Sequence, residues 1–178
     1  MKKTELLFLM IIISFSTQAM AGGMQISWDF EQGSSMNNGV SGWVPAGGAG
    51  LDNEKNLAYR GKGNAWVRNT KGWNAINNMV TISAPSGSTC QAIAWLRTSD
   101  KLTDGYMTIR DGDKADGTGK ILNEIKLTGG HDYRKEWFEF KMGSHRQVLF
   151  YVGLWGNGKD SWIQIDDASI FCKLPDPQ

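Results

Sequence analysis

The sequence predicts an all-β domain, a sandwich or barrel of short antiparallel strands. Three observations carry this. Apolar residues recur at every second position in one window after another, the period of a half-buried strand. The 22 glycines, against 4 prolines, supply turns between these windows. No window holds an apolar stripe at helical spacing.

The chain opens with a secretory layout. Lys2 and Lys3 give a positive start, Leu6 to Phe15 an apolar run, and Ala19-Met20-Ala21 a small-x-small cleavage site. The run is shorter than the roughly 20 residues that span a bilayer. Residues 1–21 are expected to leave as a signal peptide. That leaves 157 residues (178 less 21), with 22–174 as one β-domain and 175–178 as a tail. Export to the periplasm or beyond the cell follows, with no membrane insertion after cleavage. Losing Lys2, Lys3 and Glu5 reduces 19 basic and 18 acidic residues to 17 of each. Zero net charge argues against a nucleic-acid partner, which would need a basic excess.

The elements follow in order. Gln25 to Glu31 turns Ile26, Trp28 and Phe30 inward as a first strand. Ser41 to Val44 is a short strand and Pro45 to Gly50 a loop. Asn56 to Tyr59 and Asn64 to Asn69 flank a turn at Gly61-Lys62-Gly63, and Lys71-Gly72-Trp73 is another turn. Ala75 to Ser83 and Thr89 to Thr98 are strands around Ala84-Pro85-Ser86-Gly87. The second puts Cys90, Ala92, Ala94 and Leu96 on one face and Gln91, Ile93, Trp95 and Arg97 on the other. Gly105 to Asp111 carries Tyr106, Thr108 and Arg110 on one face. Ile121 to Leu127 and Tyr133 to Met142 are strands. Gln147 to Trp155 and Trp162 to Ile170 form two strands around a glycine-rich break, Gly156 to Asp160.

Cys90 and Cys172 are the only cysteines. In an exported protein an even count reads as a disulfide, the alternative being two buried thiols. The closed loop of about 80 residues corresponds to about 4 kcal/mol in the chain-entropy model.

Asp166-Asp167 interrupts an apolar strand, so one carboxylate points to the core or sits at a bulge. A buried carboxylate needs a partner. Calcium, which takes six to eight oxygens, suits Asp166, Asp167 and Glu31 at the end of the first strand; a cap of backbone amides is the alternative. Asp111 to Gly117 lacks the EF-hand spacing and reads as a solvated hairpin loop. His131 and His145 sit in polar, turn-like segments with no metal spacing. No nucleophile elbow, zinc motif or phosphate loop is present, so no catalytic residues are assigned.

The 8 tryptophans are the other signal. Trp43, Trp73, Trp155 and Trp162 lie in or beside glycine-rich loops. An indole offers a face to the C–H side of a pyranose, and Arg or Asn hydrogen-bonds its hydroxyls. Arg97 and Arg110 are expected as donor forks on the same sheet face as Trp95 and Tyr106.

Several stretches resemble the galactose-binding-domain-like carbohydrate-binding modules. Trp28-Asp29-Phe30-Glu31 resembles their opening signature. Ala94-Trp95-Leu96-Arg97-Thr98-Ser99 resembles a central strand. Gly72-Trp73-Asn74, Leu154-Trp155-Gly156 and Ile165-Asp166-Asp167-Ala168-Ser169-Ile170 match the remaining pattern. The resemblance implies a jelly-roll β-sandwich of two antiparallel sheets without catalysis. It implies a structural calcium at Glu31 and Asp166 or Asp167, completed by carbonyls near Arg60 to Lys62. It implies carbohydrate binding by Trp73, Asn74, Arg97, Arg110, Trp155 and Asn157. A stand-alone module also admits another exported protein as partner, and Trp, Tyr and Arg mark protein interfaces as well.

Overall fold

Two strands longer than any read from the sequence organise the molecule. The computed structural model describes residues 23–31, 42–112 and 119–174. The strands are β1 (Gly23–Trp28), β2 (Trp43–Ala46), β3 (Ala49–Asp52), β4 (Asn64–Thr81), β5 (Thr89–Thr98), β6 (Gly105–Asp111), β7 (Lys120–Leu127), β8 (His131–Lys141) and β9 (Gln147–Lys173). No helix occurs among the described residues, so none is long and apolar enough to cross a membrane.

β4 pairs along nearly its whole length with residues 147–165 of β9, and both strands pass through both layers of a sandwich. In the first layer, the early part of β4 and the late part of β9 pair with β3 and β5. β8 lies beyond β5, and β1 pairs with the last residues of β9. In the second layer, the late part of β4 and the early part of β9 pair with β2 and β6, and β7 lies beyond β6. All pairings are antiparallel, and the β4–β9 ladder shifts register between Asn69 and Lys71, where the two long strands pass from one layer to the other. This is the jelly-roll sandwich the sequence predicts.

The core follows from the pleat. Cys90, Ala92, Ala94 and Leu96 of β5 are fully buried, as their alternation predicts. They pack in one cluster with Val148, Phe150, Val152 and Leu154 of β9. Trp28, Phe30 and Trp43 close one part of it, with Trp43 5.3 Å from Phe150 and 5.5 Å from Trp28. Such ring pairs contribute about 0.5–1.5 kcal/mol each beyond area burial. Trp43 is therefore a core residue, not a loop aromatic; its partners come from β1 and β9, which its local sequence does not reveal.

The bend explains two corrections. Neither Lys71-Gly72-Trp73 nor Gly156 to Asp160 is a turn or a break. Asn69 pairs with Ser161 and Lys71 with Asn157, so Thr70 faces three residues, 158–160. That is a bulge, and Gly72 (φ 80°) and Gly158 (φ 97°) supply its left-handed backbone. Three smaller corrections concern the elements around it. Pro45 to Gly50 is not all loop, because β2 and β3 share it against β4. β1 ends at Trp28, and Phe30 (φ 57°) turns the chain. His131 opens β8 opposite Thr98 instead of lying in a loop.

Cys90 and Cys172 are direct register partners of β5 and β9 and form a disulfide, both fully buried. The expected signal peptide and tail and most of the Asp111 to Gly117 loop lie outside the described residues. Within that loop Asp111 is described, and its carboxylate accepts the amides of Ser144 (3.1 Å) and His145 (3.2 Å).

Candidate functional site

The outward face of the second layer collects aromatic and polar side chains. On β9 the residues out of phase with the core are Leu149, Tyr151, Gly153 and Trp155. Register places Trp73 of β4 opposite Trp155, and Tyr106 and Thr108 of β6 opposite Gly153 and Tyr151. Trp73 packs 5.9 Å from Tyr151 and 6.1 Å from Tyr106, leaving 38% of its surface exposed. Its position requires Gly153, where a Cβ would fall 2.5 Å from the indole. Trp155 is 53% exposed beside it.

Polar groups ring these aromatics. Arg110 lies over the Tyr151 ring at 5.6 Å, and its guanidinium donates to the Gly119 carbonyl at 2.9 Å. Thr108 donates to Glu124 Oε2 at 2.8 Å. The Tyr106 hydroxyl donates to Asp104, which also meets Lys126 at 3.4 Å. That hydrogen bond holds the Asp104 carboxyl below its ordinary range and lifts the Tyr106 phenol above its own. The face therefore offers both donors and acceptors beside exposed ring surface, a combination that suits hydroxyl-rich ligands.

The six residues assigned from sequence are not all here. Trp73, Trp155 and Arg110 share this face. Asn157 is at its rim, donating to Thr103. Asn74 points away from Trp73; its amide donates to the Arg68 carbonyl at 2.8 Å and its carbonyl side packs on Gly47. Arg97 and Trp95 are on the outward face of the other layer. β5 and β6 both pair with β9, but with opposite halves of it, so their outward faces lie on opposite sides of the sandwich. The sequence reading missed Tyr151 and Glu124 as site residues. The phase of Tyr151 with Trp155 was available as a signal, whereas Glu124 is placed only by the β6–β7 register.

Asp166 is fully buried, at a bulge where Ile93 pairs with Ser169 and Trp95 with Asp166. Its Oδ2 accepts the amides of Tyr59 (2.8 Å) and Arg60 (3.0 Å), and its Oδ1 accepts the amide of Asp167 (2.8 Å). Glu31 accepts the amides of Lys62 and Gly63 at 3.1 Å. Asp167, at φ 43°, meets Arg60 at 3.6 Å. Among the described residues no group of three or more His, Cys, Asp or Glu side chains could hold a metal ion. Carboxylate oxygens that face N–H donors do not fit a calcium ion in this arrangement. The geometry favours the alternative, two carboxylates capping the amides of one loop, residues 59–63. Burial pushes the Asp166 carboxyl up to about 6 despite those amides.

No protein-family model matches the chain, and no curated protein matches it. Solved structures do. The CBM22-1 xylan-binding domain from Paenibacillus barcinonensis superposes with TM-score 0.60 at 17% identity, over 88% of this chain and 99% of that one. A cleaved adhesin domain of Lys-gingipain from Porphyromonas gingivalis gives 0.57 at 13%, over 83% and 97%. A family 16 carbohydrate-binding module gives 0.55 at 15%, over 80% and 99%. The chain shares the jelly-roll β-sandwich fold of these carbohydrate-binding modules.

Proposed function

We propose that this chain is a non-catalytic, exported carbohydrate-binding module. It lays a neutral glycan chain across Trp73, Tyr106, Tyr151 and Trp155. One observation carries the reading: an exposed tryptophan held between two tyrosines on a sheet face, with Arg110 and Glu124 beside it. The exposed indoles stack on sugar rings, Arg110 donates to hydroxyls, and Glu124 and Asp104 accept from them. The fold shared with a xylan-binding domain supports the reading and makes xylan the first ligand to try. The buried disulfide suits an oxidising compartment and supports export.

Direct stacking with a few hydrogen bonds corresponds to micromolar to millimolar affinity, about −4 to −8 kcal/mol. The test is affinity electrophoresis of the mature protein in gels containing xylan, galactan or mixed-linkage glucan. Retardation by one polysaccharide, lost in Trp73→Ala, supports the reading. Unaltered migration in all of them, with a stoichiometric protein captured from the exported fraction, transfers the role to protein recognition.

A further inference from the structure

We propose that the opposite face carries a second, independent saccharide site, one selective for acidic sugars. Its floor comes from three neighbouring strands of the first layer. β4 supplies Trp66 and Arg68, β9 supplies Trp162 and Gln164, and β5 supplies Arg97. Arg68 pairs with Trp162, and Gln164 pairs with both Trp66 and Arg97. The two indoles are therefore diagonal neighbours on one face, close enough for a single sugar ring to touch both.

Asp52, Lys55 and Leu57 form the wall, and together these residues line a groove of about 340 Å³. That is within the range of small-ligand sites, about 300–1,000 Å³. The chain beside this wall is anchored at three points. The Tyr133 hydroxyl donates to the Leu57 carbonyl at 2.9 Å. Tyr59 stacks on Trp95 at 3.9 Å with planes 12° apart. Asp166 takes the amides of Tyr59 and Arg60. The groove is built into the fold, so a ligand there has little loop ordering to offset.

Charge selects the ligand. The lining presents Lys55, Arg68 and Arg97 against one carboxylate, Asp52. On the Trp73 face, by contrast, two cations, Arg110 and Lys126, stand with two carboxylates, Glu124 and Asp104, and Lys126 meets Asp104 at 3.4 Å. Arg68 is committed to a two-point pair with Asp160. Arg97 and Lys55 make only exposed ion pairs, although Arg97 also donates to Gln164 Oε1 at 3.4 Å and lies 5.7 Å from the Trp162 ring centroid. Arg97 meets an Asp132 side chain that is 90% exposed at 3.4 Å, and Lys55 meets Asp52 at 3.9 Å with its own side chain 72% exposed. Exposed pairs of this kind contribute little, so exchange for a ligand carboxylate is inexpensive. A neutral sugar would leave Arg97 and Lys55 in these weak exposed pairs, and a small inorganic anion would leave the indoles uncovered. A uronic acid has both an apolar C–H face and a carboxylate, and it matches both.

The test is tryptophan-fluorescence titration with oligogalacturonate, oligomannuronate and their carboxyl-reduced, neutral counterparts. At least one uronate should quench, its affinity should fall with added salt, and its reduced counterpart should bind about tenfold more weakly, the change expected for one charged hydrogen bond. Lys55→Gln and Arg97→Gln should each weaken uronate binding without lowering Tm, and Trp66→Ala should abolish it. Trp73→Ala should leave it unchanged, which separates this site from the one proposed above. Failure of every uronate to bind, equal binding of reduced and acidic oligomers, or loss in Trp73→Ala with retention in Lys55→Gln and Arg97→Gln would overturn the proposal.

Discussion

Trp73 and Trp155 are direct partners across the β4–β9 ladder, yet Trp73 leans away along the sheet, over Gly153 and onto Tyr151. One indole is thus clamped and the other stands free at the bend. Their two exposed surfaces extend along the direction a glycan chain would follow.

The clamped ring should matter more. Trp73→Ala is expected to weaken binding to the retarding polysaccharide by about five- to tenfold, since aromatic stacking contributes about 1–1.5 kcal/mol. Trp155→Ala should weaken it less. Because both rings are substantially exposed, neither change should lower stability by more than about 1 kcal/mol. Affinity electrophoresis with a thermal melt of each variant checks both points.

Gly153→Ala tests the clamp without touching a ligand contact. Its Cβ would lie 2.5 Å from the Trp73 indole, so the ring must shift. The expected outcome is a protein that folds, with altered tryptophan fluorescence and glycan binding reduced towards that of Trp73→Ala. Binding equal to wild type would show that the ring's placement is irrelevant.

Much of this was legible in the sequence. β5 could be read to the residue, because its alternation is unbroken and one face is wholly apolar. The disulfide was legible because two cysteines in a chain expected to be exported leave one pairing. The bend was not. Gly72 and Gly158 have the composition of turn glycines, and only the partner strand shows that they form a bulge. The same gap misplaced Arg97. Alternation assigns a residue to a face of its strand, but pairing decides which layer that strand joins. Asp166 was read correctly as buried or bulged; the resemblance brought Arg60 to Lys62 to it as carbonyl donors, whereas the amides of Tyr59 and Arg60 face it.

Replacing Cys90 and Cys172 together by Ala should lower stability by about 2–5 kcal/mol, as expected for a bridge spanning 82 residues. Denaturant unfolding of the oxidised, reduced and double-substituted proteins measures this. The reduced and substituted forms should agree.

Asp166 separates the amide cap from a calcium site. A buried carboxyl raised from 3.8 to about 6 binds its proton more tightly in the folded state. Its contribution to stability therefore rises as pH falls through about 6 and levels off below its unfolded value, by at most about 3 kcal/mol. A calcium-bound carboxylate would have the opposite sign. Melting in calcium and in chelator at pH 7 should give the same Tm, and a plot of Tm against pH should lose its component near pH 6 in Asp166→Asn. That variant should also be less stable by about 1–3 kcal/mol, since its NH₂ would confront a backbone donor. A chelator-induced drop in Tm would establish calcium instead.

The most direct test of carbohydrate binding on the β4–β9–β6 face is an indole N–H spectrum of the mature protein, titrated with neutral xylo-oligosaccharides. The 8 tryptophans give 8 probes, assigned by single substitutions. Saturable shifts of Trp73 and Trp155, with Trp28 and Trp43 still, are the predicted result. Silence at Trp73 and Trp155 while other indoles respond, or no response to any glycan, would contradict it.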